Sequence, residues 1–173
     1  MSRALQKLLF LFALAACGRG PSAHTPAGAA GACWPVRPLQ LQALEHGAEW
    51  EPMSAVEADG QIVHLAKGRR PMARLDGDRL VGGFGKVAAS CNERLEIVLD
   101  GKVSGAHYDA EGAFVERGIR IFVADDGVVH MTSHGAKVFG PGGKGQARVQ
   151  GAVAEARRTA ALLVLLSLGG PPG

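Results

Sequence analysis

The chain has 173 residues, 47% hydrophobic and 20% charged, with a formal net charge of +3 and three cysteines. That is a normal size for one domain. Its 19 Lys+Arg against 16 Asp+Glu are scattered. The densest basic spots, Gly68-Arg69-Arg70 and Ala156-Arg157-Arg158, lack the interleaved aromatics that stack single-stranded bases, so nucleic acid is excluded as an expected partner.

Residues 1–16 carry Arg3 and Lys7 and no acid, followed by the apolar run Leu8 to Leu14 and the small pair Ala15-Ala16. A basic start, a short apolar middle and small residues at a cut site describe an export signal. The run is too short for a bilayer span, which needs ~20 residues. These residues alone leave open an ordinary secretory signal or a retained N-terminal helix. The stretch Leu14-Ala15-Ala16-Cys17 resembles the lipobox of bacterial lipoproteins. The resemblance covers residues 1–18 only. It implies that the Cys17 thiol receives a diacylglyceryl group, that the chain is cut before Cys17, and that the new amino group is acylated. Several acyl chains then hold the protein at a membrane without a spanning helix, each buried methylene contributing ~0.8 kcal/mol. Gly18, in place of Asp, resembles the pattern of lipoproteins passed to the outer membrane. Losing Arg3 and Lys7 takes the 19 basic residues to 17 against 16 acids, so the basic excess belongs largely to the signal.

With Cys17 lipidated, Cys33 and Cys91 remain. An exported compartment lets disulfides persist, and one pair allows one intramolecular connectivity. Closing the loop between them would stabilise the fold by roughly 4 kcal/mol in the chain-entropy account. Two free thiols are the alternative. A nucleophilic Cys91 is disfavoured, because Ser90-Cys91-Asn92 supplies no neighbouring base.

Residues 18–32, GRGPSAHTPAGAAGA, cannot bury enough apolar surface to offset their ordering entropy and are expected to act as a flexible tether, with His24 solvated. From residue 34 to 58 the pattern is ambiguous. Leu39, Leu41 and Leu44 fit a short strand or an irregular helix, and Pro35, Pro38 and Pro52 oppose a long element.

Asp-Gly pairs then punctuate the chain at Asp59-Gly60, Asp76-Gly77, Asp100-Gly101 and Asp126-Gly127, with Glu111-Gly112 a looser case. Asp-Gly between alternating segments signals a hairpin. The flanks alternate: Leu95, Ile97 and Leu99 oppose Glu96; Ile119, Ile121 and Val123 oppose Arg120; Val129 and Met131 oppose His130 and Thr132. Period two with one apolar side predicts half-buried antiparallel strands. The Asp-Gly spacing is too irregular for a fixed-period propeller or solenoid. The expected fold is mainly β: an antiparallel hairpin meander, as a single sheet, small sandwich or rolled barrel. Residues 139–146, FGPGGKGQ, are expected to form a mobile loop.

The tail differs in kind. Residues 152–168 are rich in Ala, Leu and Arg, which favours helix, and Gly169-Gly170-Pro171 stops it. Thr159 to Leu168 covers only ~15 Å as a helix, about half a bilayer core. It is expected to bury its five leucines and Val164 against the sheet, as a helix or, as a lesser option, a final strand. A helix in a protein interface or resting on a membrane is the alternative. The domain plan is therefore signal 1–16, lipidated Cys17 and tether 17–32, β-rich domain 33–151, helix 152–168 and tail 169–173.

Catalytic signatures are sparse. GGFGK at 82–86 would need Gly at position 80, which is Leu80. GGKG before Gln146 would need Gly at 138, which is Val138. Neither matches a phosphate loop. No Gly-x-Ser-x-Gly, His-Glu-x-x-His or Asp-rich calcium loop occurs, and no cofactor is expected. His130 and His134 in HMTSH, and His107 with Asp109 in HYD, are weak metal candidates, since zinc and copper favour imidazole with carboxylate. Strand positions four apart lie ~13 Å from one another, too far to share an ion unless the strand bends. Trp34, Trp50, Phe84, Tyr108, Phe114, Phe122 and Phe139 are the aromatics outside the signal, few for a sugar-stacking sheet.

The expectation is a lipid-anchored envelope protein at the periplasmic or surface face of the outer membrane, acting as a non-catalytic structural or interaction module with an envelope protein partner. A ligand- or metal-binding periplasmic protein is the alternative, and an enzyme the third.

Overall fold

The computed structural model describes residues 32–44, 49–66, 68–82, 85–140 and 145–168. The expected signal, Cys17, His24, nearly all of the tether, the tip of the 139–146 loop and the tail 169–173 lie outside the described residues.

Thirteen strands follow one another: β1 (Leu39–Leu44), β2 (Trp50–Val56), β3 (Gln61–His64), β4 (Arg70–Asp76), β5 (Arg79–Gly82), β6 (Val87–Cys91), β7 (Glu96–Leu99), β8 (Lys102–Tyr108), β9 (Phe114–Glu116), β10 (Ile119–Val123), β11 (Val129–Ser133), β12 (Ala136–Phe139) and β13 (Gln146–Gly151). A 3-10 turn at Val153–Glu155 leads into one helix, α1 (Arg157–Leu168). β1 to β12 pair in chain order, each antiparallel to the next, and β13 returns to pair with β1. The ambiguous stretch after Trp34 is thus two strands. Pro52 sits in β2 where the register against β1 shifts between Leu41 and Gln42, and a bulge tolerates a residue with no N–H.

Alternation places Ile119, Ile121 and Val123 inward on β10 and Val129 inward on β11, because one face of each strand meets the core. Leu95 departs from the expected strand. It occupies the β6–β7 turn at φ +60, with its side chain against the core.

Four turns at one end of the sheet share one hydrogen-bond pattern. Gly60, Leu95, Gly112 and Gly127 each donate to the carbonyl three residues back, on Glu57, Asn92, Asp109 and Ala124. Asp59, Asn92, Asp109 and Asp126 side chains accept nearby backbone N–H groups, the role Asx residues play in turns. Asn92–Leu95 therefore belongs with the others although it lacks the Asp-Gly pair.

The sheet rolls into a nearly closed barrel. At the seam, Val128 bridges Arg148 and the Val149 N–H donates to the Gly127 carbonyl at 2.8 Å. Inside lies α1. Nine consecutive residues, Thr159 to Ser167, are buried, which at 100° per residue covers every side of a helix. It touches β1, β2, β9 and β10, and its Leu162 and Leu165 face the inner wall built by β5 to β9. The helix is held in axial position by hydroxyls: Thr159 donates to the Pro35 carbonyl at 2.8 Å, and Ser167, 2.5 Å from Ser54 on β2, donates to Leu163. Of the five leucines expected to be buried, Leu168 is 42% exposed, because the helix emerges there from the barrel. The other four and Val164 contribute at most ~1.5–3 kcal/mol each.

Gly127 is where the seam is tightest. Its φ is +84, and a Cβ there would stand 2.1 Å from the Val149 carbonyl oxygen. Gly77 also has positive φ, +59, but a Cβ there meets nothing within 4 Å. Gly127→Ala is expected to lower stability by more than ~1 kcal/mol, and clearly more than Gly77→Ala, in urea unfolding; equal losses would mean that the seam does not constrain the fold.

Candidate functional site

The antiparallel meander puts alternate connections at opposite ends of the barrel, and the two ends differ. The end where residues 32–38 enter is formed by connections 57–60, 77–78, 92–95, 109–113 and 124–128. These carry Glu57, Asp59, Asp78, Glu93, Asp109, Glu111, Asp125 and Asp126 against the single base Arg94. At the opposite end, among the described residues, Arg69, Arg70, Lys86, Lys102, Arg117 and Lys137 outnumber Glu49, Glu51, Asp100 and the buried Glu116. The N-terminus of α1 lies at the acidic end, where Arg157 binds the Glu111 carbonyl and the Asp125 carboxylate. Carboxylates near a helix N-terminus and bases near its C-terminus are the favourable arrangement for its dipole.

The acidic end is closed by a clamp. Cys33 and Cys91 of β6 are joined as a disulfide, with Cα atoms 6.1 Å apart. The expected pairing is the one the geometry contains. The Cys33 N–H donates to Asp78 at 2.6 Å, and the Cys91 N–H to the Asp78 carbonyl at 2.9 Å. Trp34, 1% exposed, inserts its indole and donates from Nε1 to the Tyr108 hydroxyl at 2.8 Å. Tyr108 meets Phe114 edge-on at 5.9 Å. Burial pushes the Tyr108 hydroxyl far up, against smaller opposing effects of the Trp34 hydrogen bond and Arg158, so it stays protonated. Arg37 pairs with Glu155, and Arg158 reaches the Ala32 carbonyl. The chain that leaves the domain toward residue 31 is therefore fixed covalently, by ring packing and by hydrogen bonds within a few residues.

Between α1 and the wall lies a cavity of about 20 Å³ bordered by Trp34, Ser104, Tyr108, Glu116, Leu162 and Leu165, which is room for one water. Glu116 shares the inward parity of Phe114 on β9 and is 6% exposed. Burial raises its carboxyl above the ordinary 4.5, with the Arg117 charge pulling the other way. An inward acid is the polar feature of this wall that sequence reading missed. Its signal was parity: Phe114 and Glu116 are two apart in one strand. Asp109 behaves oppositely. Partial burial disfavours its charge, but N–H groups of Ala113 and Glu111 and the Arg120 guanidinium hold its carboxyl below the ordinary value.

The three histidines singled out as metal candidates do not converge. His107 points outward on β8 between Glu96 and Val115, and His130 outward on β11 opposite Phe122. His134 sits in the β11–β12 turn at φ +49, over Gly118. The chain turns between His130 and His134, so they do not share a strand face. Among the described residues no group of three His, Cys, Asp or Glu is placed to hold an ion. His64, buried on β3 opposite Ser54, was not singled out in the sequence. On the outer face, Arg148 stacks over Trp50 at 4.3 Å, and Arg120 and Arg157 over Phe122 at 5.4 and 5.5 Å. Each of these two outward rings thus carries a guanidinium group over a face.

No family model, curated protein or solved structure matches the chain.

Two measurements test the clamp and the interior. Replacing both Cys33 and Cys91 by Ser is expected to cost about 2–5 kcal/mol in urea unfolding; an unchanged midpoint would contradict a disulfide in the folded protein. Because the folded state holds the Glu116 proton more tightly than the unfolded chain, native stability falls as pH rises from 4.5 through its raised value. Glu116→Gln removes that loss. The variant is expected to match the native protein near pH 4 and to exceed it at pH 7; a variant less stable at both would show that the carboxylate is better accommodated than its burial implies.

Proposed function

We propose that the chain is an exported lipoprotein of the bacterial cell envelope, acylated at Cys17 and displaying its rolled barrel as a non-catalytic interaction module. The supporting observation is the Cys33–Cys91 clamp, placed where the Gly-, Ala- and Pro-rich stretch after Cys17 meets the barrel. A disulfide at that position suits an oxidising compartment. A domain held by its N-terminus also needs that attachment secured, since any pull through the anchor arrives at Cys33. The covalent bond to β6 carries it past β1. Trp34 and Arg37 add packing and an ion pair at the same place.

The buried helix supports a role carried by the outer surface. α1 lies within the barrel, with a cavity of about 20 Å³ beside it, so a partner would meet the connections and outer strand faces. Gly18 favours an outer-membrane destination, with an envelope protein as the partner expected there.

Growth with radiolabelled palmitate tests the anchor. The native protein is expected to incorporate label and to fractionate with membranes, and Cys17→Ser to lose both. A protein that stays unlabelled, or a Cys17→Ser variant that fractionates like the native one, would overturn the reading.

A further inference from the structure

We propose that the basic end of the barrel, opposite the clamp, docks on an anionic bilayer surface. This rests on the lipid anchor at Cys17 and adds which face of the domain meets the membrane.

The large hydrophobic side chains left exposed among the described residues are Val87, Val103 and Leu168, at 50%, 56% and 42%. All three lie at the same end. Val87 opens β6, Val103 is the second residue of β8, and Leu168 is the last residue of α1. Lys86 and Lys102 directly precede the two valines, and both are exposed. β6 and β8 are separated only by β7; the register sets Val103 level with Ser90 through Val98, so Val87 lies three residues further along and the two Lys-Val pairs stand ~14 Å apart on a staggered rim. Trp50, half-buried, opens β2 at this end too. Apolar side chains beside lysines, with a tryptophan opening a strand at the same end, match the chemistry of a headgroup interface: the valines and indole enter the boundary and the ammonium groups pair with phosphates.

Charge decides the orientation. At the clamp end the eight acids of the connections, with Asp76, Glu96 and Glu155, outnumber Arg37, Arg79, Arg94, Arg157 and Arg158, so an anionic surface repels it. The rim with Lys86 and Lys102 is attracted. The anchor does not prevent this inversion. The segment from Cys17 to Cys33 can extend to at most ~55 Å, whereas the longest strands, of seven residues, span only ~23 Å.

The lipidated protein, reconstituted in vesicles of brominated phosphatidylcholine alone or mixed with brominated phosphatidylglycerol, provides the test through flotation and tryptophan emission. Trp34 is enclosed in the barrel and serves as an internal constant, and Trp50→Phe removes the rim reporter. Docking predicts that Trp50 emission falls about twofold further in the anionic vesicles and that Lys86→Glu with Lys102→Glu abolishes the difference while flotation persists. Flotation with both vesicles but equal emission overturns docking and leaves the anchor intact. Flotation with anionic vesicles alone, accompanied by quenching, supports docking and overturns the anchor. Flotation with neither overturns both. Emission that responds instead to an added acidic protein, and not to phosphatidylglycerol, assigns the rim to a protein partner and overturns docking.

Discussion

The structure depends on one constraint: α1 has no polar side. A helix with Thr159 to Ser167 all apolar or internally satisfied gains stability only when every direction around it is covered. A flat sheet covers one face. A twisted meander of thirteen strands, rolled until its ends nearly meet, covers them all. Closure follows from what it encloses, and the seam at Val128 and Arg148 needs only a bridge because the helix already draws the two sides inward. The two polar residues of the buried helix span, Thr159 and Ser167, spend their hydrogen bonds on Pro35, Ser54 and Leu163. They fix how far the helix slides along the barrel, which apolar contacts alone leave loosely defined.

Rolling the meander also sorts charge. In an antiparallel meander every second connection comes to the same end, so a difference between odd and even turns in the chain becomes a difference between two ends in space. Asx side chains that complete the four similar turns place carboxylates at the clamp end, where they also face the N-terminus of α1 and its arginines. The entering segment 32–38, the disulfide and the acidic rim thereby share one end, and the exposed valines and lysines the other. A lipid-anchored domain with two unlike ends has a defined relation to the surface it is tied to, and this gives the proposed interaction module an inside and an outside.

Much of the β architecture was legible in the residues. Three of the four Asp-Gly pairs and Glu111-Gly112 fall in hairpin connections, and at Asp76-Gly77 the glycine opens one after Asp76 ends β4, because positive φ at a turn is chemically marked. Inward parity was clear for Ile119, Ile121, Val123 and Val129, where alternation is strict. It failed at Leu95, whose leucine side chain hides a left-handed turn position otherwise taken by glycine, and for that reason the similarity of the turn at Asn92 to its neighbours escaped notice. β1 and β2 were ambiguous because Pro52 reads as a breaker until a bulge accommodates it. Of the candidate site residues, Cys33 and Cys91 meet, while His107, His130 and His134 are dispersed over two strands and a turn. Glu116 went unremarked, since parity with Phe114 is a faint signal in a strand of three residues.

What the sequence determined by itself is local: where the chain turns, which strand faces are apolar, that residues 152–168 favour helix, of which Arg157–Leu168 forms α1, and that the first eighteen residues resemble a lipoprotein signal. These rest on backbone preferences and period, which neighbouring residues encode. Only the tertiary structure decided that the sheet closes, that the helix lies within it, that Cys33 and Cys91 are brought together, that Gly127 must lack a side chain at the seam, and that acids and bases gather at opposite ends. Those outcomes depend on contacts between residues distant in the chain, and the number of strands needed to surround an apolar helix is set by geometry that no short stretch of sequence contains.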